Sequence, residues 1–590
     1  MNEYIIKQKI KNAKIISFDI FDTLLVRPFL EPKNVFDFLS KHLQEPEFAY
    51  KRSVAEDELR IEGNYFPTYD DIYKHLPTNF NYIKEIERQF EIDTLFANPF
   101  VKKIYNYAKE LDKRIIIVSD MYFDEATLKT ILTKNGYDKF EKIYISAYKK
   151  KCKYDGSIFP DIVEDCNVKT SDILHIGDNK IADYISPQKF GIKAFRIKAP
   201  RDNFLQNHKF LKKFCNQNKD NLTVGIILGL IIKNMLLKKQ NLNYWYNFGY
   251  FWGGPFCYGL SEFIIESMKS IGLNELICVA RDGYSIEKIV NLLDKSLKTY
   301  YVYASRSINL MINLDCSTEL SWTHRPSSIV RLYRDLSEEF NKRCKNIVFV
   351  NDEDYINVIN SNMDILKPLS NKILEQYAHY INKFKINDSN IALFDISGGA
   401  FNSYKLLNKV LNNKKITGLY WYAIKNSEII YKQYLKSTNN TVKNYELLEF
   451  IITAPELPIK LLDTKGDFIR INNVYETERA NSYKYVSEGE IDWAQDYLNT
   501  FKYVIPLDPK ILVEYLNVFC DSYTFKDVKQ FSKIYHGCDE AHTQYKKLLP
   551  QKKIKFKFLE KIFSLKNKNN HKVLTILGIR ISFKRIKDNG

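Results

Sequence analysis

The sequence of 590 residues is poor in the residue types that build specialised architectures. Its 21 Gly and 17 Pro are too few for collagen-like or Pro-rich structure. Nine Cys contain no CxxC pair, which excludes a zinc ribbon and a disulfide scaffold and fits a reduced compartment. A membrane-spanning helix needs about 20 apolar residues. The best run, Val224–Ile232, stops at Lys233, and the uncharged stretch Asn241–Ser261 is rich in Gly, Asn and Tyr. Both read as buried core. The opening MNEYIIKQKIKNAK lacks the apolar centre of a signal peptide. These absences lead us to expect a large, reduced, cytoplasmic protein.

What is present narrows the class further. With 45% apolar and 14% aromatic residues the chain is not a disordered one. At about 100–200 residues per domain, its length allows two to four domains. The net charge of +17 is unevenly placed. In Gln551–Gly590, twelve Lys and Arg stand against only Glu560 and Asp588, so this tail carries ten of the seventeen excess charges. Phe556, Phe558, Leu559, Ile562 and Phe563 interleave with them, followed by VLTILGIRISF. A basic amphipathic tail can lie on an anionic bilayer, where each Lys or Arg contributes about 1 kcal/mol. Peripheral association with the inner face of the inner membrane is therefore one expectation, and a solvated Lys-rich terminus is the other. The body shows no basic stripe, which argues against nucleic acid as a partner.

Apolar strands alternate with helical stretches over residues 1–205. The expected strands are Ile15–Phe21, Arg114–Asp120, Lys142–Ser146, Ile173–Asp178 and Lys193–Ile197. Helical periodicity over about 31–106 (VFDFLSKHL, YIKEIERQFEIDTLF) predicts a helical cap inserted between the first two. After a linker or helix at 206–240, a second α/β pattern occupies 241–443. Its expected strands are Leu276–Ala280, Tyr300–Ala304, Ile347–Val350, Ile391–Ile396 and Ile416–Trp421. Helix dominates 444–550, and the basic tail follows. The fold class is α/β: a Rossmann-like domain with a helical cap, a second Rossmann-like domain and a helical C-terminal region.

Chemistry concentrates at strand ends. ISFDIFDTLL puts Asp19 at the end of strand one, IIIVSDMYFD puts Ser119 at the end of strand two, and LHIGDNKIAD puts Asp178 just past strand four. Ligands of doubly wound sheets bind outside these ends, so the three should converge, with Lys153 of KYDGSIF completing the set. Two carboxylates, a hydroxyl and an ammonium around one point suit Mg2+ and a phosphoryl group. His175 reads as a packed core histidine, and Asp120 as a loop hydrogen-bonding residue.

The four motifs, in this order, resemble those of the haloacid dehalogenase superfamily of phosphohydrolases and phosphotransferases. The resemblance implies Asp19 as nucleophile and metal ligand, Ser119 as phosphate-binding hydroxyl and Lys153 as the charge-neutralising amine. Asp178 and Asp183 would complete the metal site. One position departs from the pattern. The acid/base Asp usual two residues after the nucleophile is Phe21 here, and the next carboxyl is Asp22. Neighbouring side chains of an extended chain face opposite ways. Three readings follow: a leaving group that needs no proton, a proton from Asp22 or the cap, or loss of catalysis.

In the second domain, LICVARDGYSIEKIV places Arg281, Asp282 and Gly283 between strand and helix. YYVYASR brings Ser305 and Arg306 to a strand end, and IALFDISGGAFNSYKLL brings Asp395, Gly398 and Gly399. Strand, small-residue turn and helix start make an anion site through free amides, and two arginines can clamp a phosphate or carboxylate. The order is similar to that of type I phosphoribosyltransferases, but the second acidic residue and the threonine of their loop are missing. The alternative is a turn that only closes the domain, with Arg281 in an internal ion pair. The whole chain also looks like a group of large bacterial hydrolase-type proteins of capsule and lipopolysaccharide gene clusters. KVLTILGIRISFKR is similar to the ends of surface-polysaccharide enzymes of AT-rich genomes.

The resulting expectation is a Mg2+-dependent phosphohydrolase or phosphotransferase acting on a phosphorylated or nucleotide-activated sugar in surface-polysaccharide assembly. The alternatives are a glycosyl- or substituent-transferase with its chemistry in the second domain, or a non-catalytic membrane-apposed scaffold.

Overall fold

A computed structural model describes residues 3–63, 66–237, 243–314, 326–436, 441–537, 544–549, 563–568, 571–576 and 579–584. The sequence IISF forms β1 (Ile15–Phe18), buried at every position, as expected of a strand in a parallel sheet covered on both faces. It ends three residues earlier than its apolar pattern predicts. Asp22 adopts the left-handed conformation (φ 56°) between β1 and β2 (Leu25–Val26). β2 pairs antiparallel with β3 (Phe96–Ala97), which lies on the far side of the cap in sequence. The cap fills the interval between β2 and β3 with helices Asn34–His42, Phe48–Gly63, Tyr69–His75 and Ile83–Thr94.

The sheet is completed by β4 (Arg114–Ser119), β5 (Lys142–Ile145), β6 (Ile173–Gly177) and β7 (Lys193–Arg196), in the order β5-β4-β1-β6-β7. All neighbours are parallel. Arg52 pins the cap over the end of β4. It is fully buried, forks onto Glu87 at 3.1 and 3.0 Å, and lies 4.5 Å from the Phe36 ring and 4.8 Å from that of Tyr122. A charge so placed is tolerated because it is both paired and hydrogen-bonded.

Helix Leu222–Leu237 is apolar on nearly all sides and mostly buried, as its sequence predicts. Gly229 presses against the Pro28 carbonyl, where a Cβ would collide. The helix thereby holds the entry of the cap against the rest of the molecule.

A second parallel sheet contains β8 (Glu275–Val279), β9 (Lys298–Val302), β10 (Asn390–Gly398), β11 (Lys415–Ala423) and β12 (Tyr431–Gln433). Its order is β12-β11-β10-β8-β9, with every neighbour parallel. Ile347–Val350, expected as a strand, is instead the entry to helix Asp352–Ser361. Val348 and Val350 are 81% and 83% exposed, and the Asp354 carboxylate accepts the N–H groups of Val350 and Asn351 at 2.7 and 3.1 Å. A capping box outweighs β-propensity in a run this short.

The region 444–550 is dominated by the 28-residue helix Val474–Phe501 and by helix Pro509–Ser522. Two hairpins interrupt it, Ile459–Leu462 with Phe468–Arg470 and Tyr535–Gly537 with Tyr545–Lys547. The long helix reaches both sheets. Phe501 packs on Phe29 and Phe38 at ring distances of 4.9 and 5.0 Å, while Glu490 accepts a hydrogen bond from Ser285 beyond β8 at 2.6 Å. Within the expected basic tail, Phe563–Lys568, His571–Ile576 and Ile579–Lys584 pair as a three-stranded antiparallel sheet; the rest of the tail lies outside the described residues. Among the described residues no helix is long and apolar enough to cross a membrane. The molecule is α/β, with a cap-bearing Rossmann-like sheet, a second Rossmann-like sheet and a largely helical C-terminal region.

Candidate active site at a strand reversal

Strand order in the first sheet reverses between β1 and β6, the place where parallel sheets open a crevice at their C-terminal ends. Asp19 follows β1 directly, and its N–H donates to the Ile176 carbonyl of β6 at 2.9 Å. Asp178 follows β6. Asp183 is brought back to the same point by the turn Lys180–Ile185, which Asn179 caps by accepting the N–H groups of Ile181 and Ala182 at 2.9 and 3.0 Å. Gly177 is required here, because a Cβ would overlap the Asp183 carboxyl. Carboxylate oxygens of Asp19, Asp178 and Asp183 all lie within 4.8 Å of one another, a set that could hold a metal ion.

Lys153 enters from the loop after β5 and is 2% exposed. Its Nζ donates to Asp19 Oδ1 at 2.5 Å and to Asp183 Oδ1 at 2.6 Å. Asp120, beyond β4, accepts the Lys153 backbone N–H at 3.0 and 3.2 Å and so holds the lysine loop in place. Ser119 is buried at the end of β4, the other neighbour of β1. Thr23 donates to Asp178 Oδ1 at 3.5 Å.

His175, expected as a packed core residue, is buried with its ring 5.8 Å from that of Phe159. It does more than fill space. Nδ1 lies 2.7 Å from Ser17 Oγ and Nε2 3.1 Å from Asp183 Oδ1, so the ring fixes the Asp183 carboxylate. The local sequence carries no signal for this role, which depends on where Asp183 returns in the folded chain.

Three carboxyls crowd one ammonium, and their titration divides accordingly. Burial, then repulsion from Asp183, pushes Asp19 up to about 7 against the pull of Lys153. Burial and the charge of Asp19 push Asp178 up to about 8. For Asp183 burial is outweighed by Lys153 and His175, which hold it well below the ordinary carboxylate range. Burial lowers Lys153, but Asp183 and Asp19 more than reverse this and keep it charged. Without a cation, Asp183 is the ionised partner of Lys153 while Asp19 and Asp178 are drawn towards protonation.

Phe21 stands two residues after Asp19. The Arg27 guanidinium lies 4.3 Å above its ring and forks onto buried Glu91 at 3.0 and 3.2 Å, so the base of the cap clamps the ring. Asp22 is half-buried, and its charge faces Arg201, Arg27 and Asp178. Its left-handed backbone removes the simple alternation that would send it away from Asp19.

In the second sheet the expected residues divide among three strand ends, those of β8, β10 and β9. Burial and the neighbouring charge of Asp395 push Asp282 well up, and Asp395 accepts from Ser403 Oγ at 2.5 Å. Gly283 has no room for a Cβ, which would lie 2.7 Å from Cys278 Cβ and from the Val279 carbonyl. Gly398 is packed against Phe401 and Ala423, whereas Gly399 is exposed. Ser305 caps helix Arg306–Ile312 by accepting the Ile308 N–H at 3.3 Å, which puts Ser305 and Arg306 beyond β9.

No protein-family model and no curated protein sequence matches the chain. Among solved structures it is similar to the L-2-haloacid dehalogenase of Xanthobacter autotrophicus with chloropropionic acid covalently bound, at 14% identity and a TM-score of 0.26 over 39% of this chain and 90% of that one. It is also similar to a predicted phosphoglycolate phosphatase of Haemophilus somnus, at 16% identity and a TM-score of 0.24 over 32% of this chain and 86% of that one. A third is a HAD-family enzyme of Bacteroides thetaiotaomicron in complex with magnesium and inorganic phosphate, at 16% identity and a TM-score of 0.25 over 32% of this chain and 95% of that one. Likeness at this level adds nothing to the geometry described above.

Proposed function

We propose that the first sheet carries a Mg2+-dependent phosphohydrolase or phosphotransferase site with Asp19 as nucleophile. The observation that supports it most directly is the meeting of Asp19, Asp178, Asp183 and Lys153 at the β1/β6 reversal, within hydrogen-bonding or metal-ligand distance. The donor set fits the ion: carboxylate oxygens are the ligands that hard Mg2+ takes. Asp19, Asp178 and Asp183 would hold it, and when bound it supplies positive charge against the phosphoryl oxygens.

The residues of the chain then have defined tasks. An Asp19 carboxylate oxygen attacks phosphorus as the bond to the leaving group breaks, giving an acyl phosphate. Lys153, tied to Asp183, neutralises charge as it develops on the phosphoryl oxygens, and the Ser119 hydroxyl donates to one of them. Water or an acceptor hydroxyl then takes the phosphoryl group and regenerates the carboxylate. With Phe21 in place of an acid, a leaving group that departs without a proton is favoured, such as the phosphate-bearing fragment released when the pyrophosphate bond of a nucleotide-activated sugar breaks. For groups that need a proton, Asp22 is the carboxyl nearest in sequence, turned by its backbone towards Asp178.

A turnover screen tests this reading: sugar phosphates, nucleoside monophosphates and nucleotide-sugars, each with and without Mg2+. Product release by the wild type should disappear in Asp19→Asn and on chelation. Turnover surviving Asp19→Asn would place the chemistry elsewhere in the chain.

A further inference from the structure

The second sheet has a reversal of its own. Its order, β12-β11-β10-β8-β9, changes direction between β8 and β10, which is again where an open parallel sheet leaves a crevice beyond its strand ends. Side chains of both signs converge there from four separate segments. Asp282, from the turn after β8, and Asp395, at the C-terminal end of the neighbouring strand β10, lie close enough for each charge to bear on the other, and Asp395 also accepts from Ser403 Oγ. Tyr445, from helix Tyr445–Ile451, comes near enough for the charges of Glu449, Asp282 and Asp395 to bear on its hydroxyl. Glu449, one turn further along that helix, also faces Asp282, and its Oε2 lies 3.2 Å from His536 Nδ1. The Arg281 charge in turn bears on His536. Asp282, Asp395 and Ser397 are only half-buried, so a solute can reach them.

The basic component is held deliberately. Arg281 takes a left-handed backbone (φ 74°) that an arginine rarely adopts. It is kept there by its N–H donating to Tyr301 OH at 2.8 Å and its Nε to Thr453 Oγ1 at 3.3 Å. Gly283, two residues on, starts helix Tyr284–Leu293 without a side-chain cap, its own N–H and that of Tyr284 donating to the Val279 and Arg281 carbonyls at 2.7 and 3.1 Å, and Phe401 starts helix Asn402–Val410, again without a side-chain cap. A guanidinium beside two helix starts that no side chain caps favours an anionic group. A pair of carboxyls, a tyrosine and a serine beside them favour hydroxyls, as acceptors and donors.

We propose that this reversal is a second ligand site, separate from that of Asp19, and that it takes a polyol bearing phosphate: a sugar phosphate or a nucleotide-sugar. Arg281 binds the phosphate and the Asp282–Asp395 pair accepts from the hydroxyls.

Calorimetric titration of full-length Asp19→Asn protein in EDTA isolates this site from the first. The probes are glucose 1-phosphate, UDP-glucose, UMP, inorganic phosphate and free glucose. Saturable binding of at least one phosphorylated sugar is expected, weakened about tenfold to a hundredfold by Arg281→Gly. That variant suits the left-handed backbone, so a failure to fold is not its expected outcome. Asp282→Asn should weaken the phosphorylated sugars more than inorganic phosphate. Absence of saturable binding by any probe would overturn the proposal. So would binding unchanged in both variants, or a site that takes only Mg2+ added without EDTA and loses it in Asp282→Asn.

Discussion

Replacing Lys153 by Met isolates what the ammonium does at the first site. Met keeps much of the length and volume of the side chain but removes two ion pairs, to Asp19 and Asp183, both made out of contact with water. Breaking a buried pair by deleting one partner costs about 3–5 kcal/mol, because the remaining charge is left uncompensated. Proton uptake by Asp19 and Asp178, already pushed upwards, caps the loss towards the lower end of that range. A unit of this size loses about 2–4 °C of melting temperature per kcal/mol, so the variant should melt about 10 °C below wild type in EDTA. Millimolar Mg2+ should restore part of the difference, since a cation held at 100 times its Kd contributes about 2.7 kcal/mol. Asp183→Asn in the Lys153→Met background should also recover stability by removing one orphaned carboxylate. Differential scanning calorimetry with and without Mg2+ reads all three. A Lys153→Met protein that melts within 2–3 °C of wild type in EDTA (roughly 1 kcal/mol) would refute the idea that this lysine balances buried charge.

Three further predictions concern other parts of the molecule. Glu490, fully buried between Ser285 and Tyr483, has its carboxyl pushed by burial to about 8. The folded state therefore binds its proton more tightly than the unfolded one, and stability should fall as pH rises from about 4.5 through 8, by at most about 1.4 kcal/mol per pH unit. Glu490→Gln should flatten that part of a denaturant-midpoint profile, and an unchanged slope would contradict it. Phe21→Asp should raise hydrolysis of simple phosphomonoesters, a step to which a positioned acid contributes about 10²–10⁴-fold, with little change for nucleotide-activated substrates; equal effects on both classes would count against the leaving-group argument. Removing Gln551–Gly590 should lower sedimentation with phosphatidylserine vesicles at low salt, and unchanged sedimentation would end the membrane reading of the tail.

The inner strands of the two sheets were readable because β1, β4, β6, β8 and β10 are short apolar runs buried along most of their length, a signal that survives without neighbours. The reading failed where context decides. Ile347–Val350 has the same composition, yet the polar residues after it form a helix cap. Tyr431–Gln433 is three residues at a sheet edge and carries almost no pattern of its own. At the first site Asp19, Lys153, Asp178 and Asp183 were legible from strand-end position and motif order. The orienting role of His175 was not, because a strand histidine has the same appearance whether it packs or positions. At the second reversal Arg281, Asp282 and Asp395 were visible beside their strands. Tyr445, Glu449 and His536 come from segments with no local spacing to connect them, so only the folded chain brings them in.

The contact of Phe501 with Phe29 and Phe38 gives the long helix a mechanical meaning. Spanning about 42 Å at 1.5 Å per residue, Val474–Phe501 is seated in the aromatic face of the cap at one end. Further back along its length it is bolted through Glu490 to the first helix of the second sheet. A cap anchored this way cannot rock like a free lid; its excursions must be carried along the rod. Trp493 and Tyr497, buried on that rod between Glu490 and Phe501, therefore sit where strain passing between the two sheets would register. Intrinsic fluorescence makes the molecule its own strain gauge.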